Sequence, residues 1–131
     1  MNYLKEKPLH NLLNGVTDLE KSKKIRVFFA ESVLNNATDF RLIEVVEMMK
    51  RGEWTEALKY SVNIYIAYNE SRKTIRNSDE SLYHAETIWM ACHFDAPLSE
   101  VHRKVIDNSS TEDEDNLYDS AINFVTDLQN S

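Results

Sequence analysis

The run Trp54-Thr55-Glu56-Ala57-Leu58-Lys59-Tyr60-Ser61-Val62-Asn63-Ile64-Tyr65-Ile66-Ala67-Tyr68 decides the fold. Its second half can be read in two ways. Tyr60, Val62, Ile64, Ile66 and Tyr68 alternate with Ser61, Asn63, Tyr65 and Ala67, which is the period of a strand rich in β-branched and aromatic residues. The flanks favour a helix. Glu56-Ala57-Leu58-Lys59 precede the run and Glu70-Ser71-Arg72-Lys73 follow it, and these are helix-forming segments with no turn residue between them. Gly52 closes the segment before, and the next glycine or proline is Pro97. A strand would need a turn signal near residue 69, and none occurs. The spacing therefore predicts one helix over 54–76. Its apolar residues cover most of the circumference, so it is expected to be the buried central helix.

A second helix follows after a short polar joint at Arg76-Asn77-Ser78-Asp79. Asp79 can cap it, and Glu80 places negative charge at its positive end. Leu82, Ala85, Ile88, Trp89 and Cys92 recur at three and four residues, one stripe of a helix. A link this short makes the two helices antiparallel neighbours. Both tryptophans, four of the six tyrosines and the single cysteine lie between residues 54 and 94.

The other elements follow outward from this pair. Residues 1–16 read as an N-terminal arm or short helix with Leu9, Leu12 and Leu13 able to dock, closed by the turn signal Asn14-Gly15. Thr17-Asp18-Leu19-Glu20 has the form of a capping box, with Thr17 as cap. The helix it opens carries Ile25, Phe28, Phe29, Ser32 and Val33 and ends near Asn35-Asn36. Thr38-Asp39 starts another with Leu42, Ile43, Val45, Val46, Met48 and Met49. Lys50-Arg51-Gly52 ends it, with cations at the negative pole and glycine as the left-handed residue. Lys50 to Leu58 resembles the inter-helix turn of a tetratricopeptide repeat; no second copy follows at that family's period of about 34 residues, so only a helical hairpin is inferred. Pro97 fits the first turn of a helix with Leu98, Val101, Val105 and Ile106 as its stripe. Thr111-Glu112-Asp113-Glu114 forms a second capping box, opening a last helix with Leu117, Ala121, Phe124, Val125 and Leu128. The expectation is a single all-α domain over residues 1–131, with five to six helices packed as antiparallel hairpins.

Composition narrows the function. Two glycines and two prolines among 131 residues are too few to punctuate an all-β fold. No apolar run approaches the ~18 residues of a membrane span, and residues 1–8 lack a signal-peptide core. One cysteine excludes an internal disulfide and a cysteine-based zinc site. These features suggest a reducing, cytoplasmic setting. Charge is segregated. Residues 1–94 hold equal numbers of acidic and basic side chains, whereas residues 95–131 hold nine acidic and two basic, which is the whole net charge of −7. That tail argues against nucleic acid as a partner, because phosphates would be repelled, and it suits a basic protein. A homo-oligomer is compatible with the composition.

Several constellations carry chemical readings. His84-Ala85-Glu86 matches the His-x-Glu half of a zinc deaminase signature, but the Pro-Cys-x-x-Cys that completes that metal shell is absent, which excludes the chemistry. Glu80 and His84 stand four apart and read as a surface ion pair. Glu44 and Glu47 put two carboxylates on one side of a helix. This pair resembles that of the all-helical nucleotide pyrophosphohydrolases, which implies Mg2+ held against a triphosphate. The family's following Glu-x-x-Asp is answered here by Glu70-Ser71-Arg72-Lys73, with a cation in place of the carboxylate. Glu100-Val101-His102-Arg103 resembles the late helix of phage-type members. Cys92 and His93 point about 100° apart on a helix and do not form a thiol–imidazole pair. Basic residues gather at Lys21, Lys23, Lys24 and Arg26, at Lys50 and Arg51, and at Arg72, Lys73 and Arg76, without the interleaved aromatics of a nucleic-acid groove. Glu112, Asp113, Glu114, Asp115 and Asp119 form the most polarised patch.

These readings point first to a non-enzymatic protein-binding module that uses the acidic patch. The most concrete form is a small bacterial or phage inhibitor of the immunity-protein type, which shields a basic partner such as a toxic nuclease. The rivals are a magnesium-dependent nucleotide hydrolase using Glu44 and Glu47, and a nucleic-acid-binding regulator.

Overall fold

Helix signals in this sequence are dense enough that each opens its own element. The computed structural model describes residues 3–35, 39–71, 79–107 and 111–131. These hold seven helices and no strand: α1 (Tyr3–Asn14), α2 (Leu19–Leu34), α3 (Phe40–Lys50), α4 (Trp54–Ser71), α5 (Asp79–Cys92), α6 (Leu98–Asp107) and α7 (Thr111–Gln129). The all-α expectation holds, but five to six helices was an undercount. The N-terminal segment is a helix, α1, and not an arm. Pro8 deprives the Leu4 carbonyl of its helical donor, yet Leu4 lies in the first turn at 88% exposure, where water can serve instead. Leu9 and Leu13, one turn apart, bury that helix against the rest.

Caps fix the helix ends. At α2 the cap is Asp18, not Thr17: its carboxylate accepts from the amides of Glu20 at 2.8 Å and Lys21 at 3.2 Å. Asp39 caps α3 in the same way, accepting from the Arg41 amide at 2.9 Å. Gly52 has φ of 81°, the left-handed turn that separates α3 from α4. Pro97 stands just before α6, and its carbonyl accepts from Glu100 and Val101. The joint expected at 76–79 and the last residues of the predicted 54–76 helix fall mostly outside the described residues.

The aromatic run is helical through Ser71, but it is not the central helix. Trp54, Ala57, Ser61 and Ile64 are buried along one side, while Ile66 is half exposed. Among the described residues α4 packs mainly against α3 and α5. The central positions belong to α2, which meets α3, α5, α6 and α7, and to α5, which meets α2, α3, α4 and α6. Alternation of apolar residues wrapped α4 in hydrophobic side chains without giving it neighbours on every side. α5 instead carries small residues, Ala85, Thr87 and Ala91, all fully buried, which let four helices approach it closely.

Two hairpins are antiparallel as expected. Trp54 meets Phe94 with ring centroids 5.2 Å apart and Tyr65 stacks on Trp89 at 5.1 Å, so α4 and α5 run in opposite directions. The Tyr68 hydroxyl donates to Asp39 and the Tyr60 hydroxyl to Glu44, which sets α3 against α4 likewise. The hairpin expectation fails at the chain ends. Lys5 pairs with Asp119 at 2.9 Å, and Gln129 Nε2 donates to the Gly15 carbonyl at 3.4 Å. α1 and α7 therefore run parallel, and α1 also packs on α6. One apolar cluster joins Leu9 of α1, Phe29 of α2, Val46 of α3, Ile64 of α4, Ile88 of α5, Val101 of α6 and Val125 of α7. Each such burial stabilises by about 1.5–3 kcal/mol. No helix among the described residues is long and apolar enough to cross a membrane.

Candidate functional site

The acidic patch is only partly one surface. Glu112's side chain lies outside the described residues. Asp113 is exposed. Asp115 and Asp119 stand one turn apart with side chains 65% and 56% exposed, and both face Lys5 of α1, at 4.0 and 2.9 Å. Lys5 is held above its usual pKa, first by the hydrogen bond to Asp119; burial opposes this, and the charges of Asp119 and Asp115 add to it. Glu114 lies one turn before Tyr118 on the inner side of α7 and is half-buried. Thus the structure brings Asp115 and Asp119 together on one flank of α7, leaves Asp113 exposed on another side of its first turn, and half-buries Glu114.

Glu44 and Glu47 are both exposed on α3. Glu44 accepts from the Tyr60 hydroxyl at 3.3 Å, and Glu47 pairs with Lys50 at 3.4 Å. Among the described residues no three His, Cys, Asp or Glu side chains converge as a metal ion would require. The basic group on α2 also comes apart. Lys23 pairs with Glu20, and Lys50 from α3 reaches Glu31 at 2.9 Å. Arg26 is turned into the protein with 3% exposure. Its guanidinium donates to the carbonyls of Met90, Ala91, His93, Phe94 and Ala96 at 2.6–3.4 Å, and its Nε to Ser22 Oγ at 3.3 Å. Those carbonyls are the open end of α5 and the turn to α6, where a cation is favoured by both hydrogen bonding and the helix dipole.

Cys92 is inert. Burial raises its thiol to about 12, against smaller downward pulls from a Ser61 hydrogen bond and the Arg26 charge, so no thiolate is available at neutral pH. His93 Nδ1 accepts from the Asp95 amide at 3.2 Å and closes the turn. His84, read as half of a surface pair, is in fact buried at 6% exposure; the side chain of Glu80 lies outside the described residues.

A concavity lies where α1 wedges between α6 and α7. It has a volume of about 390 Å³, within the range of small-ligand pockets. α1 contributes Glu6, Leu9, His10 and Leu13, α6 contributes His102, Arg103, Ile106 and Asp107, and α7 contributes Glu114 and Tyr118. His102 sits between the rings of Phe29 and Tyr118, each 5.2 Å away. It is 5% exposed, and its Nε2 is a buried polar atom with no hydrogen-bond partner among the described residues. Burial pulls its pKa down to about 4, so the ring is neutral at pH 7. Arg103 approaches Glu6 at 4.0 Å while remaining 63% exposed, which keeps its head at the rim.

The sequence reading missed Arg26 and His102 as individuals. Arg26 was grouped with surface lysines and His102 with a four-residue resemblance. The available signal was position: Arg26 shares its helix side with Phe29, Ala30 and Val33, and His102 shares its side with Leu98, Val105 and Ile106. No known protein family, curated protein or solved structure matches this chain.

Proposed function

We propose that this protein is a non-enzymatic binding module whose working surface is the acidic flank of α7, and that it takes a basic protein partner. One observation carries the reading: Asp115 and Asp119 remain more than half exposed even while paired with Lys5, and Asp113, near the same end of the helix, is exposed too. Carboxylates kept in water at one end of a helix raise the local concentration of a cationic partner and speed its encounter. The inertness of Cys92 and the dispersal of Glu44 and Glu47 onto Tyr60 and Lys50 support a binding role over a hydrolytic one. In its most concrete form the module is an inhibitor in a reducing cytoplasm, covering the phosphate-binding face of a basic nuclease.

The test combines Asp113→Asn, Asp115→Asn and Asp119→Asn in one variant and leaves Glu114 in place. The partner is cross-linked and captured from the native host, purified, and its association rate with both proteins is followed at low and high salt. The expected result is a basic partner that associates about tenfold more slowly with the variant, with a flattened salt dependence. An unchanged rate and salt slope would overturn the acidic-flank reading.

A further inference from the structure

We propose that a second cavity, between α2, α7 and the turn from α3 to α4, binds a small flat aromatic carboxylate. It shares no residue with the acidic flank. α2 supplies one whole side: Glu20, Lys23, Lys24, Val27, Phe28 and Glu31 line the cavity and recur at three and four residues along that helix. Met49, Gly52 and Trp54 form the wall from α3 and α4, and Phe124 comes from α7. The volume is about 490 Å³, within the range of small-ligand sites. Its apolar floor is aromatic. Phe28 and Phe124 stack with centroids 4.3 Å apart and planes 12° apart, and both rings are half-buried. Another ring packs on such a pair offset or edge-on, with a gain beyond the area it buries.

Charge decides the sign of the occupant once the existing pairs are set aside. Lys23 is held by Glu20 at 3.2 Å, and Lys50 by Glu31 at 2.9 Å. Both carboxylates that line the cavity are thereby answered. Lys24 is left over: it is exposed and has no ion-pair partner among the described residues. The lining is therefore net positive in a chain whose net charge is −7. Phe28 stands one turn after Lys24 on the same side of α2, and a helical side chain leans back toward the N-terminus, so the ring and the ammonium are neighbours. A ligand whose ring lies on Phe28 and Phe124 brings a carboxylate within reach of Lys24. A neutral ring would gain nothing from that ammonium, and a cationic one would meet a like charge.

The experiment is an NMR titration of the full chain with indoleacetate, tryptophol and tryptamine, which share one ring and differ in charge. Saturable shifts centred on Val27, Phe28 and the Trp54 indole N–H are expected. Indoleacetate should bind about threefold more tightly than tryptophol, the gain that one exposed ion pair supplies, and tryptamine more weakly than either. Added salt should erase the preference. Lys24→Gln, at an exposed site, should bring indoleacetate down to the affinity of tryptophol and leave tryptophol unchanged. Lys21→Gln, on α2 but outside the cavity lining, should alter neither. Phe124→Leu should weaken all three ligands and keep their order; a thermal melt establishes that it is folded, and the Lys24 variant decides the matter by itself if it is not. Absence of saturable shifts, shifts centred elsewhere, equal affinity for acid and alcohol, or a loss in Lys24→Gln no larger than in Lys21→Gln would overturn the proposal. Asp113, Asp115 and Asp119 do not line this cavity, so it and the acidic flank fail independently.

Discussion

Arg26 and His102 are the two residues whose burial has the largest consequences, and they carry opposite accounts. Arg26 is a buried charge satisfied by carbonyls from the end of α5 and the turn that follows it. Arg26→Met would keep much of the stem's packing and leave those carbonyls without a donor. The expected loss is roughly 3 kcal/mol or more, measured by denaturant unfolding. His102 is a buried neutral base with an orphaned nitrogen. Its folded pKa of about 4 lies below the ordinary 6.5. The unfolded chain therefore takes up a proton below pH 6.5 while the folded chain does not until pH 4. Its contribution is fully present above 6.5 and falls by about 3 kcal/mol as pH drops through 4. His102→Leu should flatten the stability profile between those limits, and unfolding titrations at pH 7, 5.5 and 4 would reveal it. Gly52 is a simpler case. Its φ of 81° suits glycine, and a Cβ there would touch nothing within 4 Å. Gly52→Ala should cost about 1 kcal/mol through the backbone alone.

At the scale of single helices, most of the architecture was legible. Glycine at 52, proline at 97 and aspartates at 18 and 39 mark real boundaries because each answers a local demand for a left-handed turn, a helix entry or an orphan amide. Local chemistry does not determine how many neighbours a helix acquires. Hence the aromatic α4 was expected at the centre, where the smaller-faced α5 stands. The cavity was illegible for the same reason: its walls come from α1, α6 and α7, brought together by a parallel pairing that no short joint announces. Asp39 illustrates a boundary with measurable strength. Arg41 first, with Tyr68, holds its carboxylate at about 2. This contribution is present above pH 3.8 and lost as pH falls through 2. Asp39→Asn should cost about 1–2 kcal/mol at pH 7, allowing for partial exposure, and the difference from the native chain should close near pH 2.

For the molecule as a whole, the decisive arrangement is that α1 and α7 lie side by side, the pairing with the widest separation along the sequence. Contacts between distant parts of a chain form at a higher entropic cost than local ones. The α1–α7 pairing should therefore be absent from the folding transition state. Leu13→Ala, at a site 4% exposed, is expected to destabilise by about 2–3 kcal/mol, to speed unfolding more than tenfold and to leave the refolding arm almost unchanged. Stopped-flow kinetics across denaturant would check both arms.

That parallel pairing also bears on synthesis. α1 is synthesised before α7, so the surface that α7 offers to α1 does not exist until residues 111–129 have been made. The leucine edge of α1 must wait for part of its cover until α7 has been made, open to chaperones in the meantime, and the cavity it walls comes into being only then.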